Sequence, residues 1–116
     1  MAAPVGPYTP IVRAGDWLIC SGQIGAAEGV LADGVEAQVV QAIQNLADLL
    51  TSEGSSLVDV VKTTVFLRDM HDYAAMNQAY LTALDGHRPA RSAIAVSDLP
   101  IGAAVEIEAW AYAPQD

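Results

Sequence analysis

The stretch DVVKTTVFLRDMHDYAAMNQAYLTALDG, Asp59 to Gly86, decides the fold. Its first half is dense in β-branched residues, with Val60, Val61, Thr63, Thr64 and Val65 running into Phe66, and this composition predicts a strand. Its second half changes period. Tyr73, Met76, Tyr80 and Leu84 recur at spacings of three and four, which predicts a helix with that stripe against a core. Asp69 or Asp72 is the expected cap and Gly86 the expected stop.

Upstream, the pattern repeats. Asp33 and Glu36 stand close to a capping-box spacing, so a helix is expected from Asp33. Val39, Ile43, Leu46 and Leu50 form its apolar stripe, Gln38, Gln41, Asp48 and Ser52 its solvated face, and Gly54 its C-terminal stop. Before it, IVRAGDWLICSGQIG reads as two strands turning at Gly15-Asp16, and GAAEGVLADG as a short Gly-rich turn. The prolines Pro4, Pro7 and Pro10 suit an extended lead-in. Downstream, RSAIAV and AVEIEAWAYA are two further strands joined by the turn segment SDLPIGA. The expected order is β-β-(β)-α-β-α-β-β: a single α+β domain over residues 1–116, a mixed sheet backed by two helices.

Alternation along the last strand places Val105, Ile107, Ala109 and Ala111 on one face and Glu106, Glu108, Trp110 and Tyr112 on the other. On the preceding strand Arg91, Ala93 and Ala95 share a face. If these two strands form an antiparallel hairpin, the Arg91 guanidinium and a carboxylate line one cleft. Arg91 then reads either as a structural partner of Glu106 or Glu108, or as a fork of donors for a small carboxylate.

Charge narrows the function. Five basic residues against fourteen acidic ones give a net charge of −9 and a pI of about 4.3. Affinity for nucleic acid comes from Lys and Arg neutralising phosphates, and the chain clusters only Arg88 and Arg91, so a nucleic-acid face is not expected. The same charge opposes an anionic membrane surface, and no segment approaches a membrane span or a signal peptide, so the expected location is the cytoplasm. The lone Cys20 excludes an internal disulfide and reads as an apolar core thiol. Two separated histidines, His71 and His87, offer no metal-ligand spacing, and His71 is expected to face solvent. Apolar residues make up 53% of so small a chain, which points to surface covered by subunit contacts.

The segments GPYTP (Gly6–Pro10), ICSGQIG (Ile19–Gly25), VVKTTVFLRDM (Val60–Met70), YAAMNQAY (Tyr73–Tyr80), RPARSAIAVSDLP (Arg88–Pro100) and VEIEAWA (Val105–Ala111) together resemble the RidA (YjgF-like) reactive-intermediate deaminases. The resemblance implies a chorismate mutase-like fold, a homotrimer with clefts between subunits, and hydrolysis of small 2-imino or 2-enamino acids to 2-oxo acids and ammonia without metal or organic cofactor. It implies that Arg91 grips the substrate carboxylate and Glu106 orients or activates the water. Tyr8, Ser21, Gly22, Asn77 and backbone groups at Ala93 are the implied substrate-binding positions. Three of these have a plainer reading, packing for Tyr8, a strand bulge at Gly22 and a solvated helix residue for Asn77, and Glu108 is given a structural role. Two departures stand out. Ala93 occupies a position where the family often has cysteine, so no thiol acts there, and the loop before Arg88 is short, bringing His87 and Arg88 toward the cleft. Two other functions fit less of the pattern: a non-catalytic module for a small carboxylate such as a 2-oxo acid, and an endoribonuclease or translation inhibitor, which the charge opposes.

Overall fold

A computed structural model describes residues 6–115. Pro4 of the lead-in lies outside the described residues. The elements are β1 (Ile11–Ala14), β2 (Trp17–Ile24), a small hairpin of β3 (Ala26–Ala27) and β4 (Val30–Leu31), α1 (Val35–Ser52), β5 (Val60–Leu67), α2 (Tyr73–Ala83), β6 (Ala90–Ala95) and β7 (Val105–Tyr112). The five longer strands form one mixed sheet in the order β1-β2-β7-β5-β6, and both helices cover one face of it. The α+β architecture expected from the sequence is therefore the one observed.

Local signals explain most elements. The β1–β2 hairpin turns at Gly15-Asp16, where Gly15 takes a positive φ of 61°. The stripe Val39, Ile43, Leu46 and Leu50 is buried against Leu18, Val65, Ile107 and Ala109 of the sheet. Gly54 follows α1 in the left-handed region, as a helix stop requires. Cys20 is a buried core residue, and His71 is exposed at the start of α2. Gly25 allows α1 to sit against the end of β2, because a Cβ there would collide with the backbone of Gln38.

Four expectations are corrected. Helix α1 begins at Val35 behind Gly34, with no side-chain cap from Asp33, because the β4 connection uses Gly34 at φ 91° to turn into the helix. Gln38 is not on a solvated face. It is buried at the seam between α1 and two loops, donating to the Ala32 carbonyl (3.1 Å) and accepting from the Ala104 N–H (2.8 Å). Tyr73 leaves the core stripe and stays exposed, turned toward Arg91, while Met76, Tyr80 and Leu84 are buried.

The fourth correction concerns the sheet. β6 and β7 are not a hairpin. β6 pairs parallel to β5, and β7 pairs antiparallel to β5 on its other side. The physical reason is the route of the chain. Helix α2 returns the chain to the starting end of β5, which makes β6 parallel. The segment after β6 then steps over the far end of β5, held there by Val96 N–H to Leu67 O (2.8 Å) and Arg68 N–H to Ala104 O (3.1 Å). β7 is thereby delivered to the opposite side. Among the described residues, no helix is long and apolar enough to cross a membrane.

Candidate functional site

The insertion of β5 separates the two residues expected to share a cleft. Arg91 is level with Thr63 of β5, whereas Glu106 is level with Phe66. Three residues of offset put them on opposite faces of the sheet. With two strand spacings between them as well, their Cα atoms lie about 14 Å apart by strand geometry. One chain thus carries two partial sites rather than one cleft.

The first lies between the sheet edge and α2. Arg91 points to the helix face from β6, next to Thr63. Its guanidinium donates to the Tyr73 hydroxyl (3.2 Å) and to the Met76 sulfur (3.6 Å), and lies 5.6 Å and 5.0 Å from the ring centroids of Tyr73 and Tyr80. These aromatic contacts stabilise a cation without neutralising it. No carboxylate lies within ion-pair distance of Arg91 among the described residues, so the structural pairing with Glu106 or Glu108 is absent from the chain. Tyr80 is itself anchored by a 2.6 Å hydrogen bond to Thr63, and burial pushes its phenol pKa up. A cleft of about 280 Å³ opens here, lined by Asn77, Tyr80, Leu81, His87, Arg88 and Arg91 among others. The Asn77 carbonyl oxygen is buried with no hydrogen-bond partner among the described residues, so it stands ready for a donor. Ala93 sits two residues beyond Arg91 on the same face, half-buried against the core.

The second lies on the open face. β2 bulges between Cys20 and Gln23, and Ser21 and Gly22 form the bulge. Glu106 of β7 lies against it: a Cβ on Gly22 would stand 2.8 Å from the Glu106 carboxyl carbon. Gly22 is thus part of a strand bulge, and what approaches it closely is the Glu106 side chain. Glu106 is half-buried, and its pKa is raised, first by burial and then by the charge of Glu108 two residues along the same face. Ser21 ties the lead-in to the bulge, its Oγ donating to Thr9 O (2.7 Å) and its N–H to Pro10 O (2.8 Å). That staple brings the exposed Tyr8 to the same neighbourhood.

Composition alone did not single out Tyr73, Met76 and Tyr80 as the cradle of Arg91. Their three-and-four spacing read as core, and the stripe in fact divides between core and cradle. Burial pushes the Cys20 thiol up to about 11, which removes it as a nucleophile. Among the described residues no cluster of three His, Cys, Asp or Glu side chains is placed to hold a metal. A larger depression of about 490 Å³, lined in part by Arg13, Glu53, Asp59 and Tyr112, contains none of the residues expected from the sequence, and its carboxylates oppose an anionic ligand.

Comparison with known proteins agrees with this fold. Residues 1–113 match the family described as Endoribonuclease L-PSP. A 2-iminobutanoate/2-iminopropanoate deaminase of Mus musculus is 40% identical over 112 residues, covering 94% of this chain and 83% of the relative. RidA from the Antarctic bacterium Psychrobacter sp. superposes with a TM-score of 0.90 at 38% identity, covering 95% of this chain and 91% of that one. E. coli TdcF, a structure with bound serine, superposes with a TM-score of 0.89 at 33% identity, over 94% and 90% of the two chains.

Proposed function

Since the chain belongs to the Endoribonuclease L-PSP family, which includes RidA, we propose that it hydrolyses small 2-imino acids and their 2-enamino tautomers to 2-oxo acids and ammonia. In this reading the active site is shared between neighbouring subunits of a homotrimer. Arg91, Asn77 and the backbone near Ala93 come from one subunit, and Tyr8, Ser21, Gly22 and Glu106 from the next. The observation that carries the proposal is the pair of complementary partial sites: an arginine cradled by tyrosines and a half-buried carboxyl with a raised pKa, neither with a charged partner among the described residues.

The chemistry follows from those two groups. Arg91 binds the substrate carboxylate through two parallel charge-assisted hydrogen bonds. Water adds to the imine carbon, with Glu106 accepting its proton, and forms a carbinolamine. Glu106 returns that proton to the nitrogen, completing the amine, and then relays the hydroxyl proton of the carbinolamine to the same nitrogen; the C–N bond breaks, and ammonia leaves as the carbonyl forms. A carboxyl with a raised pKa serves both halves of this exchange better than an ordinary one. No step calls on a metal or an organic cofactor. The net charge of −9, with only Arg88 and Arg91 clustered, favours a small anion over RNA despite the family's description. The working compartment in this reading is the cytoplasm, where the imines are released by pyridoxal-phosphate enzymes.

The test is a coupled assay. An amino-acid oxidase generates the imine from alanine or 2-aminobutyrate, and semicarbazide competes for it. Wild-type protein should lower the trapped product, and Arg91→Ala and Glu106→Gln should not, while both variants keep their fold by circular dichroism. Undiminished activity in Arg91→Ala would sink the proposal. Saturable, Arg91-dependent binding of a 2-oxo acid with no turnover would replace it with a carboxylate-binding module.

A further inference from the structure

The cleft beneath α2 holds more positive charge than one carboxylate needs. Two of the chain's five basic residues, Arg88 and Arg91, line it, and among the described residues no Asp or Glu does. In a chain with fourteen acidic residues, that exclusion is informative. Arg91 is already pinned by Tyr73 and Met76. Arg88 is exposed at the rim, and no carboxylate lies within ion-pair distance of it among the described residues.

The backbone around Arg88 is built to stay there. Its neighbour His87 is held twice, through its N–H to Leu84 O (3.0 Å) and through its ring Nε2 to Val60 O (2.8 Å). Pro89 on the other side restricts φ. Two guanidiniums facing one small cleft repel each other unless an anion lies between them, and the field they share is strongest for a ligand with two negative groups.

We propose that Arg88 is a specificity-determining residue that binds a second, side-chain carboxylate, so that the preferred substrates are 2-imino diacids, the imines of amino acids such as aspartate and glutamate. The proposal rests on the imine-hydrolase reading for its chemistry and on the cleft alone for its charge preference. It also predicts the class of reaction that supplies the substrate: two-electron oxidation of the amine of an acidic amino acid, the electrons passing to a flavin or nicotinamide of the supplying enzyme, or loss of water from an acidic amino acid that carries a β-hydroxyl.

The test compares kcat/KM of the wild-type protein, Arg88→Ala and Arg88→Lys on imines generated in place from glutamate and from 2-aminobutyrate. The wild type should favour the diacid imine at least tenfold. Arg88→Ala should lower kcat/KM for the diacid about tenfold more than for the monoacid, Arg88→Lys should fall between, and added salt should erode the wild-type preference. Equal kcat/KM for the two imines in the wild type, or an equal loss on both in Arg88→Ala, would overturn the proposal. If neither imine is hydrolysed, the deaminase reading fails, and calorimetric titration with 2-oxoglutarate and 2-oxobutanoate decides the charge preference by itself. Tighter, Arg88-dependent binding of 2-oxoglutarate supports the proposal, and equal affinities overturn it.

Discussion

Gly22→Ala isolates the contact between the β2 bulge and Glu106. The backbone at Gly22 lies outside the left-handed region, so alanine is tolerated conformationally and the new methyl group is the whole perturbation. That methyl would lie 2.8 Å from the Glu106 carboxyl carbon and 3.0 Å from its Cγ. Carbon atoms rest at about 3.5–4.0 Å, so the carboxyl must retreat by about 1 Å. Glu106 is only half-buried and can swing outward, which keeps the cost in stability to about 1 kcal/mol. Catalysis is less forgiving: a misplacement of about 1 Å costs roughly 100-fold in rate. Gly22→Ala should therefore lower kcat about 100-fold in the semicarbazide-coupled imine assay, with a thermal midpoint close to wild type. The double variant Gly22→Ala/Glu106→Gln should be no slower than Glu106→Gln alone, since the methyl acts only through the carboxylate. Wild-type activity in Gly22→Ala, or losses that multiply in the double variant, would refute the reasoning.

Four further outcomes follow from other contacts. The charge of Glu108 helps raise the Glu106 pKa, so Glu108→Gln should move the acidic limb of the kcat/KM–pH profile to lower pH. Because the folded-state pKa of Glu106 is raised, its protonated form favours folding. That contribution is complete below the ordinary glutamate pKa and is lost as pH rises through the raised value, so Glu106→Gln should melt higher than wild type at neutral pH and alike in acid, as read by thermal denaturation across pH. Tyr73→Phe removes one hydrogen bond to Arg91, and KM for the imine should rise about fivefold with kcat little changed, in line with about 1 kcal/mol for such a bond. Gln38→Ala leaves the Ala104 N–H without its acceptor at a buried seam and should lower stability by about 1–3 kcal/mol in urea titration, whereas a solvated Gln38 would cost nothing measurable.

Gln38 also marks where local reading stops. Its neighbours Val39 and Ile43 announced themselves by helical spacing, but a polar side chain at the edge of that stripe is buried only if loops happen to bring a carbonyl and an N–H to it. Residues Ala32 and Ala104 supply those groups from distant parts of the chain. Tyr73 is the converse case: it obeys the stripe's spacing, yet stays exposed because Arg91 on the neighbouring edge strand engages its hydroxyl. The alternation of Glu106 and Glu108 against Val105 and Ile107 was legible because side chains on a strand alternate whatever the strand pairs with.

What the sequence determined by itself was the set of longer elements and which residues alternate together along each strand, since both follow from short-range periodicity and turn chemistry. Only the tertiary structure decided that β5 lies between β6 and β7, which divides Arg91 from Glu106. Strand neighbours depend on the direction from which α2 and the Ser97–Ala104 segment deliver the chain, and that direction is a property of the packed whole.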